Sequence, residues 1–207
     1  MKVKICGVTT ISDALLCAEA GADFIGLNFY PKSPRCLAPE RAHQIVSVLH
    51  DLPKPPILVG VFVNESAATM TAILDECGLD LAQLSGDEPE DVLQTMGMHG
   101  FKAMRQANTQ LPITNNQLLL FDAHAAGQFG GTGKTADWEA AAKLASQCRL
   151  LLAGGLTPDN VAEAIGRVQP WGVDVASGVE SSPGVKDKAK VIAFINTIKQ
   201  HDPISNL

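Results

Sequence analysis

Eight short apolar, β-rich stretches recur along the chain. They cover residues 3–6, 23–29, 57–63, 79–84, 101–104, 117–122, 149–153 and 172–175. Helix-forming segments lie between them, and 207 residues shared among eight units give about 26 residues each, the size of a compact βα repeat. Strands that alternate with helices predict a parallel sheet. Eight such units predict closure into a single (β/α)8 TIM barrel spanning residues 1–207. An open doubly wound sheet would favour one Gly-rich loop of the G-x-G-x-x-G kind after the first strand, and "CGVTT" does not match it.

Helix boundaries are marked by residue type. Residues 11–22 place Ile11, Ala14, Leu15 and Ala18 on one face and stop at Gly21, a C-cap candidate. Residues 64–78 start at Asn64 or Ser66 and stop at Gly78. A helix starts near Thr135, and another carries Thr157 as N-cap with Pro158 at its first position. Residues 186–200 form the last helix. The crossover at 105–116 holds Pro112 and three Asn, which predicts a loop or a short, broken fifth helix.

Composition excludes several classes of function. Hydrophobic residues make up 46% and charged residues 18%, a globular balance. The net charge of −6 and a pI of about 5.3, with no Lys/Arg run, argue against nucleic acid as a partner. No apolar run approaches the roughly 18 residues of a membrane span. With no signal peptide ahead of the first strand, the expected location is cytoplasmic. Five Cys (6, 17, 36, 77 and 148) are odd in number and lack C-x-x-C spacing, so reduced thiols fit better than disulfides or zinc. His43 and His50 can share a helix face, but nothing completes a metal site there.

Barrel active sites sit at the strand C-termini. In order, those ends carry Cys6; "NFYPKSPR" with Arg35; Asn64 and Glu65; "SGDEP"; Arg105; Asp122; "GGLTPDN"; and "ASGVESSPGVKD". The Gly pair Gly154–Gly155 after the seventh strand and Ser177–Gly178 after the eighth expose backbone N–H groups, the donors a phosphate takes. "GGTGKT" lacks P-loop spacing and reads as a Gly-rich lid over 123–137, with Lys134 and Asp137 as local anchors. Cys6 and Asp122 are placed to face each other across the mouth, where a thiol and a carboxylic acid can exchange protons with a bound sugar. Cys17, Cys77, Cys148, Trp138 and Trp171 read as packing residues. Cys36 could be exposed or packed, and His124 as a loop residue is more often solvated.

The ordered motifs "KICG", "SPR", "LVGVF", "AQLSG", "FKAMR", "LLLFDA", "GGTGKTADW", "LAGGLTPDNV" and "VDVASGVESSPGVKD" resemble the phosphoribosylanthranilate isomerase family over nearly the whole chain. The resemblance implies an Amadori rearrangement in tryptophan biosynthesis, with N-(5-phosphoribosyl)anthranilate as the small-molecule substrate and neither cofactor nor metal. It implies Cys6 as general base, Asp122 as general acid and Arg35 on the anthranilate carboxylate. Gly154, Gly155, Ser177 and Gly178 become the phosphate cradle, with Asp174 among the substrate-binding residues. The family's Q-L-H-G becomes Q-L-S-G here, with Ser85 replacing His. Thiolate formation at Cys6 asks for a nearby cation, Lys4 or Arg35. The expected assembly is a monomer or homodimer.

Three rivals predict other features. A phosphopentose epimerase would show His and Asp metal clusters. A ligand-binding barrel without activity would have lost the proton-transfer residues. A dual-substrate isomerase would carry two phosphate sites related by half-barrel symmetry, yet "NES" and "SGDEP" look poor in phosphate donors.

Overall fold

The computed structural model describes residues 1–105, 117–122 and 137–201. Eight parallel strands close into a barrel in chain order: β1 (Lys2–Cys6), β2 (Phe24–Asn28), β3 (Ile57–Phe62), β4 (Leu81–Leu84), β5 (Gly100–Met104), β6 (Leu118–Asp122), β7 (Arg149–Ala153) and β8 (Gly172–Val175). The β1–β8 pairing that shuts the barrel matches Lys4 with Asp174 and Ile5 with Val175. The helices are α1 (Ile11–Ala20), α2 (Pro39–His50), α3 (Ala67–Cys77), α4 (Glu90–Met96), α5 (Trp138–Ala145), α6 (Val161–Val168) and α7 (Lys188–His201). A small antiparallel hairpin, β9 (Glu180–Ser182) with β10 (Val185–Lys186), follows β8.

The strands read as apolar runs because both of their faces are buried. Alternation along each strand sorts side chains into two layers. Val3, Ile5, Ile25, Leu27, Leu119, Phe121, Val173 and Val175 face outward and pack with the helices. Phe24, Val59, Phe101, Leu120, Leu151 and Ala153 fill the interior. Trp171 closes its floor, edge-on to Phe24 at 5.9 Å, with the Arg149 guanidinium 6.0 Å from its ring.

Helix starts follow capping chemistry. The Thr10 hydroxyl accepts from the Asp13 N–H, Ser66 from Thr69 and the Asp137 carboxylate from Ala140. Gly21 and Gly78 end their helices in left-handed geometry, as expected. Two expectations change. The face of α1 that is fully buried is Ala14 and Cys17, with Ile11, Leu15 and Ala18 only partly covered. The helix placed at Thr157 begins at Val161 instead. The Asn160 carboxamide ties back to the Thr157 N–H at 2.8 Å, holding 158–160 as a turn before the regular helix. His43 and His50 both lie on α2 and are exposed, and no group of three metal-binding side chains forms among the described residues. The broken fifth helix, His124, Lys134, Thr135 and the Gly-rich lid fall outside the described residues.

Candidate active site

Val3 and Ile5 face outward, so Lys4 and Cys6 face the barrel interior. Asp174, between the outward Val173 and Val175, meets them from β8. The Lys4 side chain is fully buried, and its ammonium donates to the Asp174 carboxylate at 2.8 Å. Burial lowers the Lys4 pKa, but the charges of Asp174 and of a Cys6 thiolate outweigh it and hold the ammonium above the ordinary lysine range. Gly26, the β2 partner of Cys6, makes room for this pair. A Cβ there would lie 2.8 Å from the Cys6 sulfur and 3.1 Å from the Lys4 nitrogen.

A second buried ammonium underlies the first. Lys186 on β10 donates to the Cys6 carbonyl at 2.6 Å, to the Ala176 carbonyl at 3.3 Å and to the Glu180 carboxylate at 2.8 Å. Glu180 in turn accepts from Arg35, at 2.8 Å from Nε and 2.5 Å from Nη2. Burial pushes the Glu180 pKa up, yet the hydrogen bonds from Arg35 and Lys186 prevail and hold it below the usual carboxylate range. The same bonds raise the Arg35 pKa. Glu180 therefore fixes Arg35 by one edge of its guanidinium and leaves Nη1 without a partner among the described residues. Burial pushes Cys17 up to about 12 and raises Cys77 and Cys148, which keeps them as inert packing groups. Cys36 is exposed.

Asp122 ends β6 on the face shared by Leu118 and Leu120, which line the interior. Its half-buried carboxylate therefore stands at the mouth. β6 lies three strands round from β1, so the thiol and the acid flank the mouth from different sides. After β7, Gly154 and Gly155 take φ of 99° and 66°, a turn that favours glycine. After β8, residues Ser177–Val179 form a single 3-10 turn. A Cβ on Gly178 would collide with the Leu156 carbonyl oxygen, so the two loops touch there through glycine. The N–H groups that open such a turn have no acceptor within it.

The opposite rim differs. Glu88, after β4, accepts from the Asn64 N–H at 2.7 Å and from the Gly86 N–H at 3.0 and 3.1 Å. Lys102 of β5 adds its ammonium at 2.5 Å. Burial alone would raise the Glu88 pKa; the donors reverse that and hold it below the usual range. Nearby, the Gln83 carboxamide nitrogen donates to Ser85 at 3.0 Å, and its buried oxygen has no partner among the described residues.

Sequence reasoning passed over Glu88, Lys102, Glu180 and Lys186. The last two flank "SSPG", a turn signal that predicts a hairpin and so brings them close.

The N-(5'phosphoribosyl)anthranilate (PRA) isomerase family matches residues 3–197. The N-(5'-phosphoribosyl)anthranilate isomerase of Geotalea uraniireducens is 48% identical over 204 residues, covering 96% of this chain and 98% of its own. The crystal structure of phosphoribosyl anthranilate isomerase from Thermotoga maritima superposes with a TM-score of 0.84 at 37% identity, over 97% of this chain and 99% of that one. Another solved isomerase, in complex with reduced 1-(o-carboxyphenylamino)-1-deoxyribulose 5-phosphate, gives 0.80 at 34% identity over 97% and 99%.

Proposed function

This chain belongs to the phosphoribosylanthranilate isomerase family of tryptophan biosynthesis, and from that premise we propose how its own residues divide the reaction. Asp122, protonated when substrate binds, gives its proton to the ribose ring oxygen. The C1–O bond breaks, and the anthranilate nitrogen takes up the electron deficit as an iminium. That charge acidifies the C2 proton, which the Cys6 thiolate removes to give an enolamine. The enolamine becomes the ketone as the C2 hydroxyl loses a proton and C1 gains one. Every step is a proton transfer, so the sequence of bonds balances without a cofactor or metal.

The observation that carries this reading is the thiol at the end of β1 beside the fully buried ammonium of Lys4. An unpaired lysine there would be costly to bury; flanked by Asp174 and a thiolate it has a reason to stay charged. Arg35, held by Glu180, offers its remaining edge to the anthranilate carboxylate. Gly154, Gly155, Ser177 and Gly178 cradle the phosphate, and Asp174 adds contact to the sugar while anchoring Lys4. The chain acts as one barrel domain over residues 1–207, in the cytoplasm, as a monomer or homodimer. No helix among the described residues is long and apolar enough to cross a membrane.

The test is the loss of anthranilate fluorescence from freshly generated phosphoribosylanthranilate, with EDTA present. The wild type is expected to consume it rapidly and Cys6→Ala more slowly by roughly two to four orders of magnitude. Full turnover by Cys6→Ala would remove Cys6 as the base.

A further inference from the structure

The barrel order places β3 and β4 four strands away from β7 and β8, on the opposite rim of the mouth. Two backbone N–H groups and one ammonium converge at that rim, the donor set an oxyanion takes. The chain fills it with its own carboxylate. We propose that Glu88 is a specificity-determining residue: it occupies a second anion cradle at the ends of β3, β4 and β5, and so restricts the enzyme to substrates carrying a single phosphate. This rests on the assignment of the substrate phosphate to the β7 and β8 loops.

The donors are positioned independently of Glu88. Asn64 sits in left-handed geometry with φ of 57°, and its carboxamide oxygen accepts from the Asp87 N–H at 2.6 Å, locking the two loops together. A Cβ on Gly86 would lie 2.7 Å from the Asn64 nitrogen, so the two amide groups stay close only because residue 86 is glycine. Lys102 also donates to the Gly86 carbonyl at 2.7 Å, which keeps its ammonium at the rim. Glu88→Ala therefore removes the occupant and leaves the cradle. With Glu88 in place, a second phosphate at this rim would meet a buried carboxylate, a like charge where its donors should be.

The experiment is a titration of wild type and Glu88→Ala with inorganic phosphate, followed through the backbone amide resonances. In the variant, Asn64 and Gly86 are expected to shift and saturate; in the wild type they stay still. Gly155 and Gly178 are expected to shift in both proteins. Unmoved Asn64 and Gly86 amides in a folded variant would overturn the second cradle while leaving the first intact. Movement at Asn64 and Gly86 without movement at Gly155 and Gly178 would keep the second cradle and overturn the assignment of the first. If Glu88→Ala does not hold its fold in chloride, refolding becomes the readout. Phosphate must then restore the variant where chloride of equal ionic strength does not, and must stabilise it more than it stabilises the wild type. Failure to do so overturns the proposal.

Discussion

The two rims of the barrel mouth handle charge in opposite ways. On the β8–β1–β2 side, the buried carboxylates Asp174 and Glu180 are each met by ammonium or guanidinium groups, through Lys4, Lys186 and Arg35. On the β3–β5 side, a carboxylate consumes backbone N–H groups as well as a lysine. Both arrangements satisfy a buried charge. They differ in what they leave behind: the first leaves glycine amides, a thiol and one guanidinium edge for a ligand, and the second leaves a closed surface. On the assignment proposed above, where the chain places its carboxylates decides which rim does chemistry.

Mutations can break this contrast, and the largest effect belongs to the reactive rim. Cys6→Ala should cut kcat by roughly two to four orders of magnitude, the usual worth of a proton-transfer group, with substrate still bound, as measured by steady-state fluorescence. Glu180→Gln strips the counter-charge from a fully buried Lys186 and should cost about 3–5 kcal/mol in urea unfolding. It should also raise KM, because Arg35 loses its anchor. Lys4→Met should lower kcat with little change in KM, because the thiol loses the ammonium buried beside it. A lysine that served only packing would instead show its loss in urea unfolding, with kcat unchanged. The two rims share an acid response. The Glu88 and Glu180 pKa values lie lower in the folded chain than the unfolded value of 4.5. Their contribution is therefore full above that value and is lost as pH falls through the folded pKa values. Melting temperature should drop as pH is lowered from about 4.5, and Glu88→Gln or Glu180→Gln should flatten that slope. The smallest effect lies away from the mouth. Arg167 is half exposed, pairs with Glu163 at 3.2 Å and covers Trp138 at 5.2 Å, so Arg167→Ala should change stability by no more than about 0.5 kcal/mol.

The strands were legible because each is an apolar run of barrel-strand length, and their ends came within about two residues. Gly21, Gly78 and Ser66 marked helix ends through backbone requirements that act locally. Thr157 misled because the Asn160 side chain competes for the same turn, a contest that propensity cannot rank. Neither α4 nor the β9–β10 hairpin stood out, since both are short and polar. The site divided along the same line. That Cys6 and Asp122 stand at strand ends was readable because each closes an apolar run, whereas Lys4 and Arg35 were both candidate cations and only the contacts place Lys4 beside the thiol. Glu180 and Lys186 were not readable, because their meaning depends on contacts with Arg35 and Cys6 far away in the chain.

Lys186 also sets an order of assembly. Its bond to the Cys6 carbonyl spans 180 residues and the Lys4–Asp174 pair spans 170, so both wait for the first and last strands to meet. Contacts of such long range form late in folding, because the loop entropy must be spent before they return anything. The cations around the thiol therefore gather only when the barrel closes, so the Cys6 carbonyl and the Lys4 ammonium meet their partners only once both ends of the chain are in place.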